Sequence, residues 1–148
     1  MYHSILVPLD GSKRAETILP HVEDLAHHYN SKVILMGVVE PESVVVTAEP
    51  IYTRVDEEIY EQRVAQVTSY LEGCCGEFRE KGIDAKFEVG HGPIVENIIN
   101  AAEREDVDLI AMVSHGRTGL SRVFYGSVAA GGLHRVGRPL LVIRGLNE

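Results

Sequence analysis

Apolar residues along the chain fall into two alternating patterns. Short and nearly unbroken runs, "ILVPL" near the start, "KVILMGVV" soon after, "VDLIAMV" beyond the midpoint and "PLLVI" close to the end, have the look of strands covered on both faces. Between the runs, apolar positions recur at helical spacing. Ile18, Val22, Leu25 and Ala26 mark a first helix within "KRAETILPHVEDLAHHYN", with Ser12 placed to cap it and Pro20 predicting a kink or a late start. A longer helix is expected from Asp56 to Lys81. There Ile59, Val64, Val67, Leu71, Cys74, Cys75 and Phe78 form one broad stripe, acids open it, Lys81 closes it and Gly82 stops it. "DAKFEVG" reads as a strand, and "PIVENIINAAERED" and "SVAAGGLHRVG" read as helices. "PESVVVTAEPIYTRV" is a long excursion in which "SVVVTA" is either a short strand or a packed loop.

The elements alternate from strand to helix throughout, with no repeat and no internal linker, so one domain is expected over residues 1–148. Strict alternation with apolar strands implies an α/β fold: a doubly wound sheet of five parallel strands, joined by right-handed crossovers, with helices on both faces. In such sheets a ligand sits beyond the carboxyl ends of the strands, where strand order reverses. Three segments are thereby selected: Asp10 to Ser12, Val38 to Glu40, and Val113 to Gly119.

Charge and composition narrow the partners. A formal net charge of −8 argues against a nucleic-acid surface, which needs clustered Lys and Arg, so an anionic ligand has to be held locally. No stretch approaches the roughly 20 apolar residues that span a bilayer, and the N-terminal run is broken by Pro8 and Asp10, unlike a signal peptide. The expected setting is the cytoplasm, without membrane association. Cys74 and Cys75 are adjacent, a poor arrangement for a disulfide and too few ligands for zinc, and read as buried or half-buried thiols.

The stretch with the most chemistry is "SHGRTGLSRVFYGS", residues 114–127, directly after an apolar strand. A turn leading from a buried strand to a helix presents unpaired backbone N–H groups, and glycines let an anion approach them. Gly116 and Gly119 supply such a turn; Gly126 and Ser127 open the following helix and can close on phosphate from the other side. The plainer reading is turn geometry plus a helix cap, and neither "GxxxxGK[ST]" nor "GxGxxG" is present. No constellation of base, nucleophile and metal ligands appears: the histidines, including His27, His28 and His91, lack metal spacing, and no second acid is expected beside Asp10. No catalytic or metal-binding residue is therefore assigned, and slow hydrolysis of a bound phosphate ligand is the most that an enzyme reading supports.

"ILVPLDGS" at the start, "DLIAMVSHGRTGLSRVFYGSVA" near the end and "RPLLVIR" as final strand resemble the universal stress protein family over essentially the whole chain. The resemblance implies a Rossmann-like sheet of strand order 3-2-1-4-5 and binding of ATP, with or without Mg2+, through Gly-x2-Gly-x9-Gly-[Ser/Thr]. The second glycine falls on Gly116, the nine-residue spacer is "RTGLSRVFY", and Gly126-Ser127 closes the motif with Val128 following. His115 and Arg117 flank the second glycine within reach of phosphate. By the same resemblance Asp10 lies near the ribose, backbone groups of Val38 read the adenine edge, and Pro8 and Leu9 form part of the apolar wall. A homodimer through the last strand, Leu140, Leu141, Val142 and Ile143, is implied as well, and its apolar edge position invites the same pairing. One position departs: Val113 stands where the motif has its first glycine, a branched side chain where the backbone would approach the nucleotide. A second reading therefore stays open, the same fold without nucleotide, acting as a protein-interaction module.

Overall fold

The apolar runs become strands because helices cover them from both sides. The computed structural model describes residues 1–40, 53–113 and 137–144, with the side chains of α2 described from Glu57 onward. In chain order these form β1 (Ser4–Pro8), a short 3-10 helix (Ala15–Ile18), α1 (Leu19–Tyr29), β2 (Lys32–Val39), α2 (Thr53–Glu80), β3 (Asp84–His91), α3 (Ile94–Arg104), β4 (Leu109–Val113) and β5 (Leu140–Ile143). The strands make one parallel sheet in the order β3-β2-β1-β4-β5. This is the doubly wound, Rossmann-like arrangement expected from the sequence. The "SVVVTA" segment and the "SVAAGGLHRVG" helix lie outside the described residues.

Successive side chains of a strand point to opposite faces, and the sheet divides its apolar residues accordingly. Ile5, Val7, Leu9, Leu35, Ala111 and Val113 meet the 3-10 helix, α1 and α2. Leu6, Ile34, Met36, Ile110 and Met112 meet α3 through Ile98, Ala101 and Ala102. Helices thus lie on both faces.

Local chemistry explains the helix boundaries. Pro20 takes one of the first two positions of α1, where its missing N–H would have no intrahelical partner, so the helix starts late instead of kinking. Before it, Ser12 Oγ accepts the Ala15 N–H at 3.0 Å and caps the 3-10 helix. On α2 the expected stripe holds for Leu71, Cys75 and Phe78, which are buried, and for Val64, Val67 and Cys74, which are half-buried. Ile59 is 40% exposed. The reason lies one residue later: Tyr60 already reaches the carbonyl of Val39, the last residue of β2, so the turns before it overhang the sheet. Both cysteines are free, and burial pushes both thiols up from their usual pKa. No helix among the described residues is long and apolar enough to cross a membrane. At the sheet edge, Leu140 and Val142 of β5 are 44% and 39% exposed, while Leu141 and Ile143 pack against the core.

Candidate functional site

The carboxyl ends of β1 and β2 are out of step, and the site follows from that offset. The β1–β2 ladder ends with Pro8 opposite Met36, and the Leu9 N–H donates to the Met36 carbonyl at 2.8 Å. β1 then stops and the chain turns away through Asp10 and Gly11, the latter at φ +85, a left-handed conformation that glycine adopts without strain. β2 continues to Val39. Backbone groups alternate sides along a strand, so Val38, two residues after Met36, directs its N–H and C=O towards the space that β1 has left. Val39 points the other way, and its carbonyl accepts the Gly92 N–H and the Tyr60 hydroxyl, each at 3.2 Å.

A cavity of about 340 Å³ occupies that space. Its floor and sides are Leu9, Asp10 and Gly11 from the end of β1, and Val38, Val39 and Glu40 from the end of β2. Arg63, Gln66, Val67 and Tyr70 of α2 form the opposite wall, with Ile94 at the start of α3. Asp10 is held in place by its own turn, Oδ1 accepting the Ser12 N–H at 2.9 Å. Tyr70 donates its hydroxyl to Glu16 Oε2 at 2.6 Å, tying the wall to the 3-10 helix. Burial, reinforced by that carboxylate, holds the Tyr70 phenol well above its usual pKa, so it remains a neutral donor.

The matching family model is the universal stress protein family, aligned over residues 1–144. The chain belongs to the universal stress protein family. Universal stress protein MJ0577 of Methanocaldococcus jannaschii is 29% identical across 100% of this chain and 98% of its own length. Its solved structure superimposes with a TM-score of 0.82, covering 100% of this chain and 99% of that one. The universal stress protein UspA from Lactobacillus plantarum shares the fold at a TM-score of 0.79 and 21% identity, over 97% of this chain and 98% of its own. A universal stress protein crystallised in complex with cAMP shares it at 0.67 and 18%, over 97% of each chain.

Within this universal stress protein the structure brings Leu9, Asp10 and Val38 together around one cavity. Pro8 is buried and Val113 is 9% exposed, and neither lines it. His115, Gly116, Arg117, Gly126, Ser127 and Val128 lie outside the described residues. Two features went unread in the sequence. The first is a correction: a second acid does accompany Asp10, because β2 overruns β1 and places Glu40 on the same cavity. The second is the α2 wall, whose polar members look like a solvated helix face. Gly37 carries the signal that could have found it. A lone glycine inside an apolar strand marks close approach by another element, and that element is α2, with Val67 Cγ1 2.7 Å from where a Gly37 Cβ would stand.

Proposed function

We propose that the chain binds an adenine nucleotide, ATP in the first place, and acts in the cytoplasm as a nucleotide-dependent regulator of a stress response and not as a dedicated enzyme. The observation that carries the reading is the pair of Val38 backbone groups facing the space beyond β1, beside the Asp10 carboxylate. A peptide N–H and C=O side by side suit the donor and acceptor edge of adenine, and a carboxylate suits the two ribose hydroxyls. At about 340 Å³ the cavity is near the lower end of small-molecule sites, roughly 300–1,000 Å³, and matches a nucleoside better than a whole triphosphate. The phosphates then extend towards the carboxyl end of β4, and in the sequence that strand is followed by Gly116 and Gly126-Ser127. The relative crystallised with cAMP supports an adenine ligand for this fold. Val113 packs into the core with Leu9 and Ala111 instead of lining the cavity, which favours nucleotide binding over a pure interaction module.

Pairing of β5 edges through Leu140 and Val142 completes the proposal as a homodimer, read by sedimentation equilibrium. The central experiment is calorimetric titration of the purified chain with ATP, AMP and cAMP, with and without Mg2+. Saturable binding of ATP is expected, abolished by Gly126→Asp without a change in thermal unfolding. Undetectable binding of every adenine nucleotide at millimolar concentration sinks the proposal.

A further inference from the structure

The α2 wall of the cavity holds polar groups that have no partner among the described residues. Arg63, Gln66, Val67 and Tyr70 recur at i, i+3, i+4 and i+7, which places them on one stripe of the helix. Tyr60 and Tyr70 bracket that stripe, and both are anchored, Tyr60 on the Val39 carbonyl and His91 Nδ1 (3.2 and 2.6 Å), Tyr70 on Glu16 (2.6 Å). Between the two anchors Thr68 returns its hydroxyl to the Val64 carbonyl at 2.7 Å. Arg63 and Gln66 alone among the polar side chains lining that wall have neither a hydrogen bond nor an ion pair among the described residues. The wall is also fixed at a set distance from Val38, because Gly37 lets Val67 and Leu71 seat directly on β2. The helix backbone that carries them is thus fixed, and their donors and acceptors, without a partner among the described residues, are open to a ligand at the cavity wall.

We propose that Gln66 is the residue that selects the base, reading adenine in preference to guanine, and that Arg63 supplies the cavity's positive charge without choosing between bases. The proposal rests on the nucleotide reading above and adds the specificity to it. A carboxamide presents one donor and one acceptor in a plane, which matches the amino group and the adjacent ring nitrogen of adenine. Guanine offers two adjacent acceptors there, a pattern that suits a guanidinium. Gln66 lies one turn from Arg63, so the two compete for the same base edge, and the direction of base preference identifies the reader. Among the described lining residues Arg63 is the one cation, on a cavity that also carries the acids Asp10 and Glu40. Its guanidinium offsets two carboxylates that would otherwise repel any phosphorylated ligand.

The test measures dissociation constants for ATP, GTP and CTP on the natural chain, Gln66→Ala and Arg63→Ala. Thermal unfolding serves as the check on folding, and both side chains sit at the cavity wall outside the buried core. Expected are ATP binding tighter than GTP or CTP by roughly tenfold or more, loss of most of that preference in Gln66→Ala, and uniform weakening of all three in Arg63→Ala. If the natural chain binds nucleotide but Gln66→Ala keeps the full ATP preference, the assignment of Gln66 is overturned while nucleotide binding stands. A preference for GTP that disappears in Arg63→Ala overturns it as well and makes Arg63 the reader. If the natural chain binds none of the three, the nucleotide reading itself fails and the assignment with it.

Discussion

Replacing Gly37 with alanine tests how α2 is seated on the sheet, and through that the geometry of the site. A Cβ at Gly37 stands 2.7 Å from Val67 Cγ1 and 3.2 Å from Leu71 Cδ1. Carbon atoms in contact sit about 3.5–4.0 Å apart, so the closer approach falls short by roughly 1 Å. Val67 has little room to yield, because a β-branched side chain in a helix holds essentially one χ1 rotamer. Leu71 is fully buried, at 0% exposure. Overpacking of this kind costs about 1–3 kcal/mol, and the stiffer unfolded chain of an alanine variant returns about 0.4–1 kcal/mol. The net loss is about 1–2 kcal/mol, or roughly 3–6 °C in Tm for a chain of this size. Calorimetric melting of four proteins reads it: the natural chain, Gly37→Ala, Val67→Ala and the double variant. The clash is a term shared by the two positions, so Gly37→Ala should cost much less in the Val67→Ala background. ATP affinity should fall in Gly37→Ala and recover in the double variant, because lifting α2 draws Arg63 and Gln66 away from Val38. An unchanged Tm in Gly37→Ala, or the same loss in both backgrounds, refutes the reasoning.

Two further outcomes follow from packing and protonation. Tyr70→Phe removes the 2.6 Å bond to Glu16 and should cost about 1 kcal/mol in urea unfolding near neutral pH, a value at the low end for a charged partner because the pair is half-exposed. The folded-state pKa of Tyr70 is raised, so its contribution is complete below the unfolded value of about 10 and is lost as pH climbs beyond it; the natural chain should lose more stability than Tyr70→Phe between neutral pH and pH above about 10, and equal slopes would count against the bond. Val113→Gly deletes a buried side chain and adds backbone freedom, so it should destabilise by about 2–4 kcal/mol in urea unfolding and leave ATP affinity unchanged; tighter binding in that variant would show that the valine does obstruct the nucleotide.

Most of the sheet was legible because its signal is local and repeated. Each buried strand needs an apolar run, and each crossover needs a helical period, so β1, β2, β4, α1 and α3 stand where the pattern puts them. The site was legible only as far as it is made of strand ends. Asp10 and Val38 follow from the rule that ligands gather at carboxyl ends, and Glu40 was within the selected segment, yet its meeting with Asp10 depends on the relative register of β1 and β2. Register between strands is set by long-range packing and leaves no mark within either strand alone. The α2 wall was harder still. Arg63 and Gln66 have the composition of a solvated face, and only the position of the helix over β2 turns that face into a wall.

Val113 shows how far the period of a strand can carry a functional argument. As a motif position it reads as an obstruction, a branched side chain where glycine is expected. As the fifth residue of β4 it belongs with Leu109 and Ala111 on one face, while Ile110 and Met112 take the other. The same alternation that gives Val38 its outward backbone groups therefore sends the Val113 side chain into the core shared with α1 and α2, and not into the cavity beside Asp10. A valine is tolerable there for the reason it is tolerable at Val7, a buried position on the same face of the adjacent strand. What a missing glycine could still cost is backbone freedom at the end of β4, and this is why Val113→Ala, measured beside Val113→Gly, separates a steric role for this position, relieved by either variant, from a conformational one, relieved by glycine alone.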